Sequence, residues 1–288
     1  MTGYYKVADF CFAVTLLADR DLGVLLPSFC PFMCDCREDK LFELNETASL
    51  SERPEAVLID EDRNDMGHTR VFRVGEGYRV ELRYVREDLV HVFDTNADFT
   101  KVSAVICWED RYAPVALSSM LRIVFSQSII PHAAVSMHAS VVVNDGKAVL
   151  CMGKSGTGKS THTRLWLEHI PGSSLLNDDN PIVRIVGEEV IAYGSPWSGK
   201  TNCYKNESAP AAGFVRLKQA PHNRYMPCED IAAFKALLPG SSVLRQDKTL
   251  HSILCGTLIE ISGMTKVGEM DCLPDKDAAE TCFKSVCK

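Results

Sequence analysis

Residues 153–161, GKSGTGKST, constrain this chain more than any other stretch. Gly153, Gly158, Lys159 and Ser160 match the pattern of a glycine, four residues of any kind, then glycine, lysine and serine or threonine. Such a loop works only between a strand and a helix, where successive backbone N–H groups and the helix N-terminus form a cradle for an anion. The phosphate-binding residues are then Gly153, Ser155, Gly156, Thr157, Gly158, Lys159, Ser160 and Thr161. In this arrangement Lys159 reaches the terminal phosphates and the Ser160 hydroxyl is a Mg²⁺ ligand.

The flanks fit this requirement. Two apolar runs, Ala139 to Val143 and Ala148 to Met152, enclose Asn-Asp-Gly, and Asp-Gly suits a hairpin turn with positive φ. The strand feeding the loop is thus expected to be the second arm of an antiparallel hairpin. A helix should run from Lys159 to His169 and stop at Pro171-Gly172. The strands that follow, SSLLNDDNPIVRIV and VIAYGSPW, are joined by a turn at 187–189 with no helix between them. This predicts a P-loop embedded in a mainly antiparallel sheet, because parallel neighbours need long crossovers. Helices are expected over 229–238 and 247–261, then a strand, VGEMDCL, and a final helix opened by Pro274 and Asp275.

Upstream, residues 1 to about 115 alternate short β-type runs with turns: FCFAVTLL, KLFELN, EAVLIDE, RVFRV, YRVELRYV and LVHVFDT. They predict an N-terminal antiparallel β domain. A helix over 114–130, with Leu117, Met120, Leu121 and Val124 on one face, would join it to the rest. With 288 residues two domains are the natural division. They are a β-rich domain with its joining helix over 1–130 and a P-loop domain over 131–288, α+β overall.

The net charge of −7 and pI near 5.6 argue against a nucleic-acid partner, which selects basic faces. The N-terminal apolar run, Phe10 to Ala18, is bounded by Asp9 and by Asp19, Arg20 and Asp21, so no secretory leader is read there. No segment approaches the roughly 20 apolar residues that span a bilayer. These readings place the chain in the cytoplasm, away from membranes. The twelve cysteines read as reduced, buried small hydrophobes, as at Cys107, Cys151 and Cys255. The cluster Cys30, Cys34 and Cys36 lacks a fourth ligand at metal-site spacing.

Asp178 and Asp179 follow Ser160 by 18 and 19 residues, at the end of the strand returning from the loop helix. Paired carboxylates there can hold a divalent ion, and one can accept a proton from an acceptor hydroxyl. His138 opens the hairpin one strand from the loop and can ligate a metal, contact a phosphate or relay a proton. In YGSPWSGKT, residues 193–201, the glycines and proline break regular structure while Trp197, Ser198 and Lys200 offer stacking, hydroxyl and charge. Arg224, and after it Arg216, are candidates for stabilising phosphate charge.

MHASVVV, GKSGTGKS and LLNDDN together resemble the catalytic domain of HPr kinase/phosphorylase, a family similar in fold to phosphoenolpyruvate carboxykinase. This resemblance covers about residues 130 to 288. Over the whole chain, HASVV, GKSGTGKSTHTRLW, NDDNP, YGSPWSGKT and QAPHNR resemble HPr-kinase-related proteins of Bacteroidetes type. The resemblance implies a P-loop kinase domain that transfers phosphate, with Mg²⁺, from ATP (or ADP or pyrophosphate) to a serine hydroxyl of a small molecule, peptide or protein. It makes Asp178 or Asp179 the base or a metal ligand, places His138 near metal or phosphate, and makes a homo-oligomer an expectation. The family's protein-substrate signature is absent, YGSPWSGKT standing in its place. A nucleotide-binding regulatory module without transfer, and carboxykinase-like activity, are the alternative readings.

Overall fold

The computed structural model describes residues 1–37, 39–64 and 67–288. Its contacts divide the chain into two units, Met1–Ile129 with Leu244–Asp247, and Ile130–Val243 with Lys248–Lys288.

In the first unit, period-two alternation builds eight strands: β1 (Thr2–Val7), β2 (Phe10–Thr15), β3 (Lys40–Glu46), β4 (Val57–Asn64), β5 (Gly67–Val74), β6 (Gly77–Arg83), β7 (His91–Thr95) and β8 (Lys101–Val105). A short helix α1 (Leu22–Leu25) follows β2, and α2 (Ala113–Ser128) closes the series. The strands lie in the order β1-β2-β3-β8-β7-β6-β5-β4. From β4 to β8 each strand pairs antiparallel with the next, but β3 runs parallel to both β2 and β8. The expectation of an antiparallel domain is therefore corrected to a mixed sheet. The reason lies in residues 16–39, which hold α1 and a 3₁₀ turn and are long enough to carry the chain over to a parallel strand. In α2 the residues spaced at three and four steps, Leu117, Met120, Leu121 and Val124, are all fully buried.

The segment Leu244–Asp247 belongs to this unit through specific bonds. The Leu244 N–H donates to Gln127 Oε1 at 2.8 Å, Gln246 Nε2 donates to Asp60 Oδ1 at 3.1 Å, and the buried Tyr78 hydroxyl donates to Asp247 Oδ2.

The second unit contains β9 (Ala134–Ser136), β10 (Ala139–Asn144), β11 (Lys147–Met152), α3 (Lys159–His169), β12 (Ser174–Asp179), β13 (Ile182–Val186) and β14 (Glu189–Tyr193). It continues with β15 (Ser208–Gln219), β16 (Arg224–Cys228), α4 (Asp230–Leu237), α5 (Lys248–Met264), β17 (Lys266–Cys272) and α6 (Lys276–Val286). The sheet order is β12-β10-β11-β15-β14-β13-β9, with β17 added to β15 and β16 to β17. The β10–β11 hairpin turns at Asp145 and Gly146, both with positive φ (49° and 71°), as a two-residue turn of this hand requires. Most pairings in this sheet are antiparallel, with parallel ones beside the loop. The loop-bearing strand β11 has a parallel neighbour, β15, and β15 pairs parallel with β17, so the sheet is mixed around the loop. The strand β15 escapes a sequence reading because Pro210 and Gly213 look like breakers. Gly213 is instead needed: a Cβ there would come within 2.7 Å of the Lys266 carbonyl and 2.9 Å of Val286 Cγ1. Pro227 is tolerated because β16 pairs on one side only, with β17.

Helices α3 and α6 cover one face of β10, β11, β15 and β17. Leu165, Trp166, Ala278 and Cys282 pack there with Val142, Val149, Val215 and Met270. Trp166 meets Phe283 edge-on at 5.6 Å. All twelve cysteines are free; Cys151, Cys272 and Cys282 lie in this core, while Cys107 and Cys255 are only half-buried. Among the described residues no helix is long and apolar enough to cross a membrane.

Trp166 Nε1 donates to His162 Nε2 at 3.2 Å, and burial lowers the His162 pKa from 6.5 to about 4. The unfolded chain then binds more protons than the native one between these values. Stability is full above about pH 6.5 and falls as the pH drops toward 4, by roughly 3 kcal/mol at most. Urea unfolding at pH 7.5 and 4.5 should show a smaller acid loss in His162→Gln, by about 2 kcal/mol, than in the wild type. Identical acid losses in the two proteins would exclude this account.

Candidate functional site

The site is assembled by strand register. Ala139, the first residue of β10, pairs with Met152, the last of β11, and also with Asp179, the last of β12. Because β10 is antiparallel to both neighbours, its beginning must sit beside both their ends. His138, the loop from Gly153 and the Asp178-Asp179 pair are thereby gathered at one edge of the sheet.

The loop takes its shape from glycines. Gly156 (φ 79°) and Gly158 (φ 106°) occupy left-handed backbone, which a Cβ would disfavour. Gly158 is the residue before α3, and no side chain caps this 11-residue helix among the described residues. Its first N–H groups remain available to an anion, reinforced by the helix dipole. Gln219 at the end of β15 fixes the loop from outside, its Nε2 donating to the Gly156 and Thr157 carbonyls at 3.2 and 3.4 Å.

Lys159 Nζ donates to the Gly153 carbonyl at 3.1 Å and lies 2.6 Å from His138 Nε2. The ammonium is thus set between the Gly153 carbonyl and the imidazole at the mouth of the loop. Burial lowers the Lys159 pKa, and the nearby Asp179 and Asp178 carboxylates oppose that shift only in part.

The two aspartates differ in surroundings. Asp178 is 3% exposed. Its Oδ1 accepts from Ser160 Oγ at 2.9 Å and its Oδ2 from the Thr201 N–H at 3.3 Å. Asp179 has a side chain 35% exposed, with Oδ1 3.8 Å from His138 Nε2. Asn177 shapes this turn: its Oδ1 accepts from the Asp179 and Asn180 N–H groups at 3.1 and 2.8 Å. A hydroxyl and a carboxylate side by side, Ser160 and Asp178, form the kind of oxygen pair Mg²⁺ uses when phosphates and waters complete its shell. Among the described residues no group of three His, Cys, Asp or Glu side chains is placed to hold a metal unaided, Cys30, Cys34 and Cys36 included.

The segment 193–201 wraps the end of β12. Asn177 Nδ2 donates to the Trp197 carbonyl at 3.1 Å, and the Gly199 N–H donates to the Asp178 carbonyl. A Cβ on Gly199 would come within 2.7 Å of that carbonyl oxygen, so glycine is required by the close approach. Trp197 is only 6% exposed and Ser198 is half-buried, while Lys200 is exposed. Of the two arginines, Arg216 on β15 lines a cavity of about 210 Å³ with His138, Gly153, Lys154 and Ser155. Arg224 stands on β16, two strands beyond β15, paired across from Asp271. Along the sheet Arg224 thus stands farther than Arg216 from the strand that carries the loop.

Asn177, Gln219 and His162 were passed over in the sequence. The first two lie inside LLNDDN and QAPHNR, but their roles depend on neighbours far along the chain. No pattern of residue types announces such contacts.

No protein-family model matches the chain, and no curated protein matches it. Among solved structures it is similar to the Hpr(Ser) kinase/phosphatase from Coxiella burnetii, at 13% identity, over 52% of this chain and 86% of that one, with a TM-score of 0.32.

Proposed function

We propose that the second unit is a Mg²⁺-dependent phosphotransferase that moves the terminal phosphoryl group of a nucleotide to a serine hydroxyl, free or in a peptide or protein. The observation that carries this reading is the division of labour between the two aspartates at the mouth of the phosphate loop. Asp178 is buried and committed to Ser160 and Thr201. Asp179 is half-exposed beside His138. A loop that only binds nucleotide has no use for a second, accessible carboxylate.

In this reading the N–H groups of the loop and of the first turn of α3 bind the phosphates, and Lys159 neutralises charge on the terminal group. Ser160 and Asp178 would hold Mg²⁺, which when bound would offset phosphate charge. Asp179 accepts the serine proton. The new bond joins the serine oxygen to phosphorus as the bond from phosphorus to the bridging oxygen breaks, and the nucleoside diphosphate leaves with that electron pair. His138, 2.6 Å from Lys159 Nζ, holds that side chain at the mouth of the loop.

With labelled ATP, Mg²⁺ and a panel of free serine and serine peptides, the wild type should yield phosphoserine. Asp179→Asn should lower kcat about 10²- to 10⁴-fold while nucleotide affinity changes little. Undiminished transfer by this variant would sink the base assignment. Lys159→Ala should instead weaken nucleotide binding itself, by about tenfold or more in calorimetry, since it removes a charged phosphate contact. Ser160→Ala should raise the Mg²⁺ concentration at half-maximal rate; an unchanged Mg²⁺ dependence would count against a metal role for this hydroxyl.

A further inference from the structure

The cavity of about 210 Å³ that Arg216 lines with His138 has no part in the transfer step described above. It is smaller than drug-sized sites, roughly 300–1,000 Å³, so it suits a molecule of few heavy atoms. Ala236 of α4, with Pro239 and Gly240 from the turn after that helix, supplies a wall that carries no side-chain charge. The charge in the lining comes from Arg216 and Lys154, and no Asp or Glu is present there.

The state of Arg216 sets this lining apart. The residue is half-buried, and its Nη1 donates to the Lys235 and Ala236 carbonyls, in the last turn of α4, at 3.4 and 3.5 Å. Those bonds fix the guanidinium but bring no negative ion to it. Glu269 faces Arg216 in the β15–β17 ladder, yet it pairs with Lys218 instead. Among the described residues no carboxylate pairs with Arg216 or with Lys154. A partly buried cation is costly unless an anion meets it, and the planar fork of an arginine matches a carboxylate. On the histidine side the same cavity borders the reacting groups, because His138 Nε2 lies 3.8 Å from Asp179 Oδ1. A small molecule held by Arg216 therefore sits next to the histidine that adjoins the proposed base.

We propose that the phosphoryl acceptor is a free hydroxy acid of the size of serine, its carboxylate held by Arg216 with Lys154 nearby and its hydroxyl turned toward Asp179. The inference rests on the phosphotransferase reading and narrows its acceptor. The hydroxyl proton goes to Asp179, the hydroxyl oxygen bonds to phosphorus and the nucleoside diphosphate leaves with its electron pair; the carboxylate is unchanged and serves only for recognition. A seryl residue inside a chain has an uncharged amide in place of that carboxylate, so it brings nothing to neutralise Arg216.

Initial rates on the full chain with saturating ATP and Mg²⁺, and with L-serine, L-serinamide and an end-blocked seryl pentapeptide as acceptors, test this. Wild-type protein should use serine with a kcat/KM at least about tenfold above those for the other two. Arg216→Met should lower kcat/KM for serine about tenfold or more, chiefly through KM, and bring the serine-to-serinamide ratio close to one. Arg216→Lys, which keeps the charge but not the fork, should recover part of that ratio, and Lys154→Met should reduce it by a smaller factor. The serinamide rate in the same samples reports whether the loop is still assembled. Serinamide or the blocked peptide used as well as serine by the wild type, or an Arg216→Met loss of equal size on serine and serinamide, would overturn the carboxylate site and leave the phosphotransferase standing. Transfer to none of the three acceptors would bring down both readings.

Discussion

The antiparallel pairing of β10 with β11 on one side and β12 on the other is the constraint on which the second unit's site depends. Ala139 faces Met152 across one ladder and Asp179 across the other. Three chain positions far apart in sequence, 138, 153 and 178–179, become neighbours without any long side chain having to reach. A slip of one residue in either ladder would turn the alternate side chains to the other face of the sheet. In the β10–β11 ladder such a slip would take Val142 or Val149 out of the core beneath α3 and α6; in the β10–β12 ladder it would displace the carboxylates. The irregularity in the β10–β12 ladder falls between Val141 and Val142, past the paired residues that matter, so Ser140 and Ala139 still oppose Asp178 and Asp179.

Around that scaffold the polar groups of the turn that carries the two aspartates pair with one another and with the segment 195–201. The Asn177 amide is occupied on both sides, by the Trp197 carbonyl, Ser195 and the N–H groups of its own turn. Ser195 in turn donates to the Asn180 carbonyl at 2.7 Å, and Ser136 donates to Asn180 Oδ1 at 2.6 Å. A fully paired network of this kind stiffens the turn that carries the two aspartates. The segment 195–201 supplies much of the pairing, which gives it a structural task.

The hairpin, the loop helix and the buried stripe of α2 were legible because each is local: a turn dipeptide, a loop motif, a 3.6-residue period. The strand β15 was not legible, since the features that admit its proline and glycine are contacts with Ile191 on β14 and Lys266 on β17. The parallel pairings were hidden for the same reason, as composition does not distinguish a crossover from a loop. For the site, the phosphate loop and the Asp178-Asp179 pair could be singled out by residue type, but the contrast in their burial could not. Trp197 illustrates the limit. A tryptophan between breakers reads as a surface for stacking, yet the residue is enclosed, and its carbonyl accepts from Asn177, a partner 20 residues away.

The excursion of Leu244–Asp247 makes the chain pass between the two units at three points, after residues 129, 243 and 247. Neither unit is a single continuous stretch that could be excised whole. A gene fragment ending at residue 130 would encode a first unit whose Tyr78 hydroxyl has lost its carboxylate acceptor and whose Gln127 has lost the Leu244 amide. A fragment beginning there would carry four residues that have no place to go. A cut at that boundary therefore leaves both pieces incomplete, and the connection between α4 and α5 is part of the first unit as much as of the second.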